Sequence, residues 1–531
     1  MPQLYIRENL VLCIIVLACI KFTSGVEHKL DVGLYDESYY LYNGVTVSSN
    51  GFPEANNAPL YSLWYYILSF AEPDRIALYF LNFKLMAILP PLLFYILLRR
   101  KGGPLLISSI TTLIFLISQA NLPTWPKVSH FALILMLGAL ILITRVTSNL
   151  VSTAIALVGA LLMAYVRPEY FLSFSIFAFA FIIVYAREQQ RLSLVNTGAI
   201  ISVISISAAL IGTLGAPLSG GRSIFAFGQH FSLNWVAWTD SALNPWTNWE
   251  AILERNFGPV QSIPEAFGSN PALFTRHITS NCLKLIQQFP AIFFYHSNIL
   301  LPPTRTFSLI EAVVVFALCI GFIIKSWPKN VKAVVSTERR FFLFAGIYAF
   351  TGMVSSVVIY PRDHYLLLPL VLTVLLMAII STKQQSMFSV GWPKQLALIA
   401  LAGVLVLILT PRFADQVAPP RENLATIQTI KSLQIDEQVT ILEAQGGFNI
   451  YAGDNFRRMR EFEKDTPFNR FLLAQDIGVI VLSDTLSNDV RFKQDTEWQS
   501  FLVHYQQKGF DKIPVPESQR TLFVRKDLLQ K

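Results

Sequence analysis

The chain has 531 residues, of which 53% are hydrophobic and only 14% charged, with a formal net charge of +8. A water-soluble chain of this size carries about 25% charged residues, so the composition excludes an ordinary soluble globular protein. The basic excess is not a nucleic-acid signature either, because the Lys and Arg residues sit in short loops between apolar runs, where the positive-inside effect places them.

A membrane-spanning helix needs about 20 mostly apolar residues. Runs of that kind fall at about 9–25, 75–98, 104–121, 128–145, 150–166, 169–186, 195–216, 306–325, 341–360, 364–381 and 394–411, which predicts about eleven spans. The first run, Arg7 followed by LVLCIIVLACI and FTSG, also fits a cleaved signal peptide. Both readings leave residue 26 outside.

Orientation follows from the loops. One alternate set holds Arg99, Arg100, Lys101, Arg145, Arg187, Arg191, Lys325, Lys329, Lys332, Arg339, Arg340, Lys383 and Lys394. The opposite short loops hold only Lys127, Arg167 and Arg362. That asymmetry predicts a cytoplasmic N-terminus, with residues 26–74, 217–305 and 412–531 on the outer side. The expected organisation is a transmembrane domain over 1–411 and an external domain over 412–531.

The external segments are not passive. Leu60 to Phe70 is apolar and aromatic but too short to span, and Trp64, Tyr65 and Tyr66 suit a helix in the membrane interface. Residues 217–305 carry Gly220, Gly221, Trp235, Trp238, Trp246 and Trp249, a composition and length that predict internal helices. The stretch 272–289 reads as an amphipathic helix. In the tail, VTILEA, IGVIVLS and TLFVRKDL read as strands, and TEWQSFLVHYQQKGF as a helix ending at Gly509. A small α/β domain is the simplest assembly of these. The fold class is therefore mainly α and polytopic, with a small C-terminal α/β domain.

The acids and bases left on the outer side carry the chemistry. Asp36 and Glu37 lie just beyond the first span, among Tyr35, Tyr39, Tyr40 and Tyr42. A carboxylate beside aromatic rings and a membrane surface is partly desolvated, which suits it to act as a general base. Arg167 in YVRPEYF, Arg362 in YPRDHYLLLP, and Lys127 and His130 in LPTWPKVSH sit in tight, Pro-bearing outer loops. Arg is suited to bidentate phosphate binding. Glu54, with Asn56 and Asn57 before Pro59, can contact a sugar, although a turn needs the same residues. His230, His277 and His296 show no ligand spacing, and Cys13, Cys19, Cys282 and Cys319 show no metal-type spacing. Asp36 and Glu37 could hold a divalent cation, but no complete ligand set is visible; no cofactor is otherwise called for.

An acid pair and several cations beside a lipid phase fit a phosphate-bearing amphiphile with its tail in the bilayer. A lipid-phosphate sugar matches this layout. The phosphate is already a good leaving group, cations offset its developing charge, and one carboxylate can deprotonate the attacking hydroxyl.

The motifs LYDESYYLYNG, NAPLYSLWYYI, VRPEYF and PRDHYLLLPLVL resemble those of the GT-C superfamily of membrane glycosyltransferases, in the group that includes protein O-mannosyltransferases and lipid A aminoarabinose transferases. The resemblance covers about residues 1–410 and follows the plan of many spans with a long external loop. It implies a polyprenyl-phosphate sugar donor, inversion at the anomeric carbon and transfer on the periplasmic or luminal side, with a bacterial inner membrane preferred. It implies Asp36 as catalytic acid with Glu37 adjacent, and Arg167, Arg362, Lys127 and His364 as donor-phosphate contacts. Tyr39, Tyr40, Glu54 and His130 are the expected substrate contacts. His364 stands where the family often has an Arg-Tyr pair. The expected partners are the donor, a glycan, lipid or protein acceptor, and membrane lipids, with no nucleic acid. Two alternatives stay open: a polyprenyl-diphosphate glycan ligase or polymerase, and a secondary transporter. A transporter would bury ionisable groups near the midplane or show repeats; here the runs are almost free of charge.

Overall fold

The computed structural model describes residues 2–121, 126–189, 193–219, 221–294, 336, 338–382, 392–409, 420–458 and 466–529. The predicted run at 306–325, with Cys319, Lys325, Lys329 and Lys332, lies outside these residues, as do Arg191, Gly220, His296 and Lys383. The chain divides into two compact units. One comprises Met1–Ser24, Phe52–Tyr61 and Lys84–Arg412; the other comprises Gly25–Gly51, Ser62–Phe83 and Phe413–Lys531.

The first unit is helical. Among the described residues six helices are long and apolar enough to cross a membrane: Glu8–Lys29, Arg75–Arg100, Pro168–Glu188, Leu194–Leu214, Arg339–Val358 and Asp363–Ile380. Leu105–Ile117, Val128–Ile143 and Asn149–Ala164 are equally apolar but shorter. A further helix, Trp392–Leu409, covers the last predicted run.

Local chemistry sets how these helices start and pack. Ser148 and Ser193 cap Asn149–Ala164 and Leu194–Leu214 by accepting from the third backbone N–H onward. A Cβ on Gly159 would lie 2.9 Å from the Ala139 Cβ, so its absence lets neighbouring helices approach closely. Helix Arg75–Arg100 contains Pro90 and Pro91. Pro91 has no N–H to offer the Ala87 carbonyl, and the Asn121 side chain fills that role at 2.9 Å.

Alternate loops meet at opposite ends of this unit. At one end Glu8 pairs with Arg99, Lys101 pairs with Glu338, and Arg340 donates to the carbonyls of Val146 and Thr147. At the other end Tyr165 donates to the Gly215 carbonyl, Arg222 to the Asn56 carbonyl, Gln119 to Asp363, and the Ala120 N–H to Ile292. These are the two loop sets that the sequence separated by charge. The long segment after Leu214 folds as Arg222–Thr239, Trp249–Phe257, Ile263–Ser269 and Pro271–Phe294.

The second unit is built on a five-stranded mixed sheet of order β2-β1-β3-β5-β4. The strands are β1 Val439–Leu442, β2 Phe456–Arg458, β3 Ile477–Leu482, β4 Phe510–Pro514 and β5 Thr521–Arg525. β1 runs parallel to β2 and β3, whereas β5 is antiparallel to β3 and β4. Phe468, Phe471, Phe492, Trp498 and Phe501 form the core with Ile480 and Phe523. Asp495 caps helix Thr496–His504 by accepting from the backbone of Glu497 and Trp498. The helix stops at His504 rather than at Gly509, and Gly509, at φ 80°, carries the chain into β4.

This unit also takes in chain that the sequence reading left with the spans. Asp31 accepts from the backbone N–H of Asn423 and Leu424, both at 2.8 Å, and so caps helix Glu422–Ser432. Arg421 donates to the Glu27 carbonyl, and the Tyr451 hydroxyl to the Gly33 carbonyl. The first part of helix Arg75–Arg100, as far as Phe83, belongs here as well: Arg75 donates to the Ile450 carbonyl and pairs with Asp454.

Candidate functional site

The loops of the first unit that carry few cations bring them to one place. Arg167 follows helix Asn149–Ala164 and precedes a short 3-10 turn, Pro168–Tyr170. Its guanidinium is buried, donates to the Ser129 hydroxyl and to Glu169, both at 2.8 Å, and lies over the Tyr365 ring at 4.4 Å. Burial works against its charge, but Glu169 and the tyrosines more than offset this, and its pKa stays above the ordinary arginine value. His364 is buried with its ring 4.4 Å from that of Tyr365, and Arg167, Arg362, His230 and His130 all act on it electrostatically. Arg362 is exposed and lies 5.4 Å over the Trp246 ring. Among the described residues it makes no ion pair.

A second layer comes from the long loop. On helix Pro271–Phe294, His277, Asn281 and Lys284 recur at helical spacing and share one face. Lys284 donates to Asn234 at 2.7 Å and to the Tyr360 hydroxyl at 2.8 Å. Asn234 donates to His277 Nδ1 at 2.9 Å, and His277 Nε2 faces the carbonyls of Val358 and Ile359, both at 3.1 Å. The terminal carbonyls of helix Arg339–Val358, which have no partner within their own helix, are thus tied to the long loop. Burial pushes the His277 pKa down to about 4, with Lys284 adding to the shift. Among the described residues the cluster brings Arg167, Arg222, Lys284 and Arg362 together with the acids Glu169 and Asp363, so its cations outnumber its acids.

Lys127 and His130 are placed differently. Both are fully buried and converge on the Asn121 carbonyl, at 2.8 and 2.9 Å. Asn121 is also the residue that repairs the gap left by Pro91. In this arrangement the two side chains hold their own loop against the bundle. His130 nonetheless acts on His364.

The acid pair lies in the second unit, and its two members differ. Glu37 is fully buried and accepts from the Tyr65 hydroxyl at 2.6 Å and from Asn82 at 3.3 Å. Asn82 also donates to Tyr65 and accepts from the Trp64 indole. Asp36 is exposed and opens helix Asp36–Val45. Among the described residues its carboxylate has no hydrogen bond. The backbone just before it is held in an unusual state. Tyr35 has φ 57°, its N–H donates to the Gly446 carbonyl at 3.0 Å, and its own carbonyl accepts from Ser38. Tyr40 is buried and Tyr39 half-buried; Glu54, in the first unit, is exposed and accepts from Asn57 at 3.4 Å. Among the described residues no group of three or more His, Cys, Asp or Glu could hold a metal ion.

The structure adds Ser129, Arg222, Lys284, Tyr360 and Tyr365 to the residues named from sequence, and it brings His230 and Trp246, which had no site role there, into the same cluster. The one available signal was the spacing of His277, Asn281 and Lys284 on an otherwise amphipathic helix.

No protein-family model matches the chain. No curated protein matches it either. Among solved structures, the crystal structure of ArnT from Cupriavidus metallidurans bound to undecaprenyl phosphate is similar at a TM-score of 0.40 and 11% identity, covering 97% of this chain and 98% of that one.

Proposed function

We propose that the protein is an integral membrane glycosyltransferase that moves a sugar from a polyprenyl-phosphate donor to an acceptor on the outer side of the membrane. The observation that carries this reading is the cluster of Arg167, Arg362, Lys284 and Arg222 at one end of an apolar helical unit, where cations outnumber acids among the described residues. A lipid with an anionic head matches both features: its tail belongs among apolar helices and its phosphate beside guanidinium groups. The motif resemblance to GT-C enzymes points the same way. The Lys and Arg asymmetry of the loops assigns this end to the outer face.

In the proposed reaction Asp36 takes the proton from an acceptor hydroxyl. The resulting oxygen attacks the anomeric carbon, and the bond from that carbon to the phosphate oxygen breaks. Configuration inverts, and polyprenyl phosphate leaves with the bond electrons. The phosphate needs no general acid, so a second catalytic carboxylate is not required. That agrees with the contrast between an exposed Asp36 and a buried, hydrogen-bonded Glu37.

The test is a transfer assay. The purified full-length protein is incubated with radiolabelled polyprenyl-phosphate sugars and a membrane extract as acceptor source. Movement of label to a new product with release of polyprenyl phosphate supports the reading. No transfer from any monophosphate donor, with turnover of a diphosphate-linked glycan instead, would replace it.

A further inference from the structure

His230 belongs to none of the roles above, yet it is built into the cation cluster. It stands on helix Arg222–Thr239, is 4% exposed, and its ring lies 5.7 Å from Tyr360, 6.0 Å from Tyr365 and 5.8 Å from Trp246. Its Nδ1 is 2.7 Å from the Ala226 carbonyl. A carbonyl can only accept, so Nδ1 carries the ring proton and Nε2 presents a lone pair. Burial, with Arg362, His277 and Arg167 nearby, pushes its pKa down to about 4, which keeps the ring neutral. Nε2 is buried and no described group donates to it. An orphaned buried acceptor is costly, and native structures rarely keep one without a use.

An acceptor is useless to a phosphate, whose oxygens only accept at neutral pH. It is useful to a hydroxyl. The neighbours supply the complementary half: the Tyr360 oxygen accepts from Lys284, which leaves its own hydrogen free to donate. Trp246 is 40% exposed and offers the aromatic face on which a sugar ring packs. It stands between helices Arg222–Thr239 and Trp249–Phe257, in neither of them.

We propose that His230, Tyr360 and Trp246 form a sugar subsite beside the phosphate cluster, in which His230 Nε2 accepts a hydrogen bond from a sugar hydroxyl. The inference rests on the lipid-phosphate sugar reading above and names the part of that substrate which the arginines do not read. The hydroxyl belongs to the donor sugar or to a sugar acceptor, and the test separates the two.

The experiment measures equilibrium binding of polyprenyl phosphate and of polyprenyl-phosphate hexose, without acceptor, to full-length wild type, His230→Asn and His230→Gln. Asn keeps an amide N–H near Nδ1 for the Ala226 carbonyl and deletes the acceptor at Nε2; Gln restores an oxygen near Nε2. The expected result is that His230→Asn binds the glycosylated lipid about 3- to 10-fold more weakly, the loss of one hydrogen bond. Binding of the unglycosylated lipid stays unchanged, which also shows that the variant is folded, and His230→Gln recovers part of the loss. One donor deoxygenated at a single position should bind wild type as weakly as the parent donor binds His230→Asn. Unchanged donor binding with a raised KM for a sugar acceptor keeps the subsite and assigns the hydroxyl to the acceptor. Equal loss for both lipids, or no change in donor binding and acceptor KM, overturns the proposal. If wild type binds neither lipid, the donor reading itself fails and the subsite with it.

Discussion

The two ends of the helical unit carry the same residue types and use them differently. At one end Arg99 and Lys101 face Glu8 and Glu338, and Arg340 lies on backbone carbonyls. Those cations are matched, and they tie loops together. At the other end Arg362 lies over an indole and, among the described residues, makes no ion pair, and Lys284 is held by an amide and a phenol. Cations outnumber acids there among the described residues, and under the proposed function that excess meets the head of an anionic lipid. The acid pair repeats the contrast within two adjacent residues: Glu37 is engaged with Tyr65 and Asn82, whereas the Asp36 carboxylate has no hydrogen bond among the described residues. Matched groups should therefore control stability, and unmatched ones activity.

The largest effect expected from that rule is on turnover. Asp36→Asn should fold normally and lose at least about 100-fold in kcat, the lower end for removal of a general base. Glu37→Gln should do the opposite, lowering the unfolding free energy by about 1–3 kcal/mol as the buried network loses its charged acceptor. A Glu37→Gln variant with intact stability and abolished transfer would exchange the two roles.

The pH dependence of stability comes next. His277 is neutral in the folded protein down to about 4, whereas its ordinary value is 6.5. Between those values the unfolded chain binds the extra proton, so stability is greatest above 6.5 and falls as pH drops toward about 4. The full loss is about 3 kcal/mol, and thermal melts across that range should show it shrink in His277→Gln.

A third effect concerns the frame around Asp36. Gly447 has φ 130°, and a Cβ there would lie 2.6 Å from the Ser38 hydroxyl oxygen. Gly447→Ala should destabilise by about 1–3 kcal/mol and lower kcat with little change in donor KM, since the turn it occupies neighbours the Gly446 carbonyl that holds Tyr35. The smallest effect belongs to the matched end. Glu8→Gln, in a partly exposed pair, should cost under about 1 kcal/mol and leave donor binding unchanged.

Much of this was legible in the sequence because hydropathy reports helices that need no partner to satisfy their backbone. The runs at 75–98, 128–145, 150–166, 195–216, 341–360 and 364–381 all correspond to described helices. β1, β3 and β5 were legible for a related reason, being short, mostly apolar runs. β2, Phe456–Arg458, and β4, Phe510–Pro514, were not, because edge strands this short and charged carry no periodicity. Residues 25–51 and 62–83 were read as loop and span, but they belong with the tail because Asp31, Gly33 and Arg75 bond to residues 375 to 418 positions away. Arg167, Arg362 and His364 were visible as rare charges in tight outer loops. What the sequence could not supply was the partner of each: that Lys127 faces a carbonyl, that Glu37 is enclosed, or that Lys284 and His230 join the arginines.

The most direct test of the account compares one cation from each end. Polyprenyl phosphate is titrated into full-length wild type, Arg362→Ala and Arg340→Ala in detergent. The account predicts that Arg362→Ala binds at least about 10-fold more weakly, the loss of one charge-assisted contact, with its melting temperature unchanged. Arg340→Ala should bind like wild type. Equal affinity in all three proteins would contradict the claim that the unmatched charge at this end is there to hold a lipid phosphate.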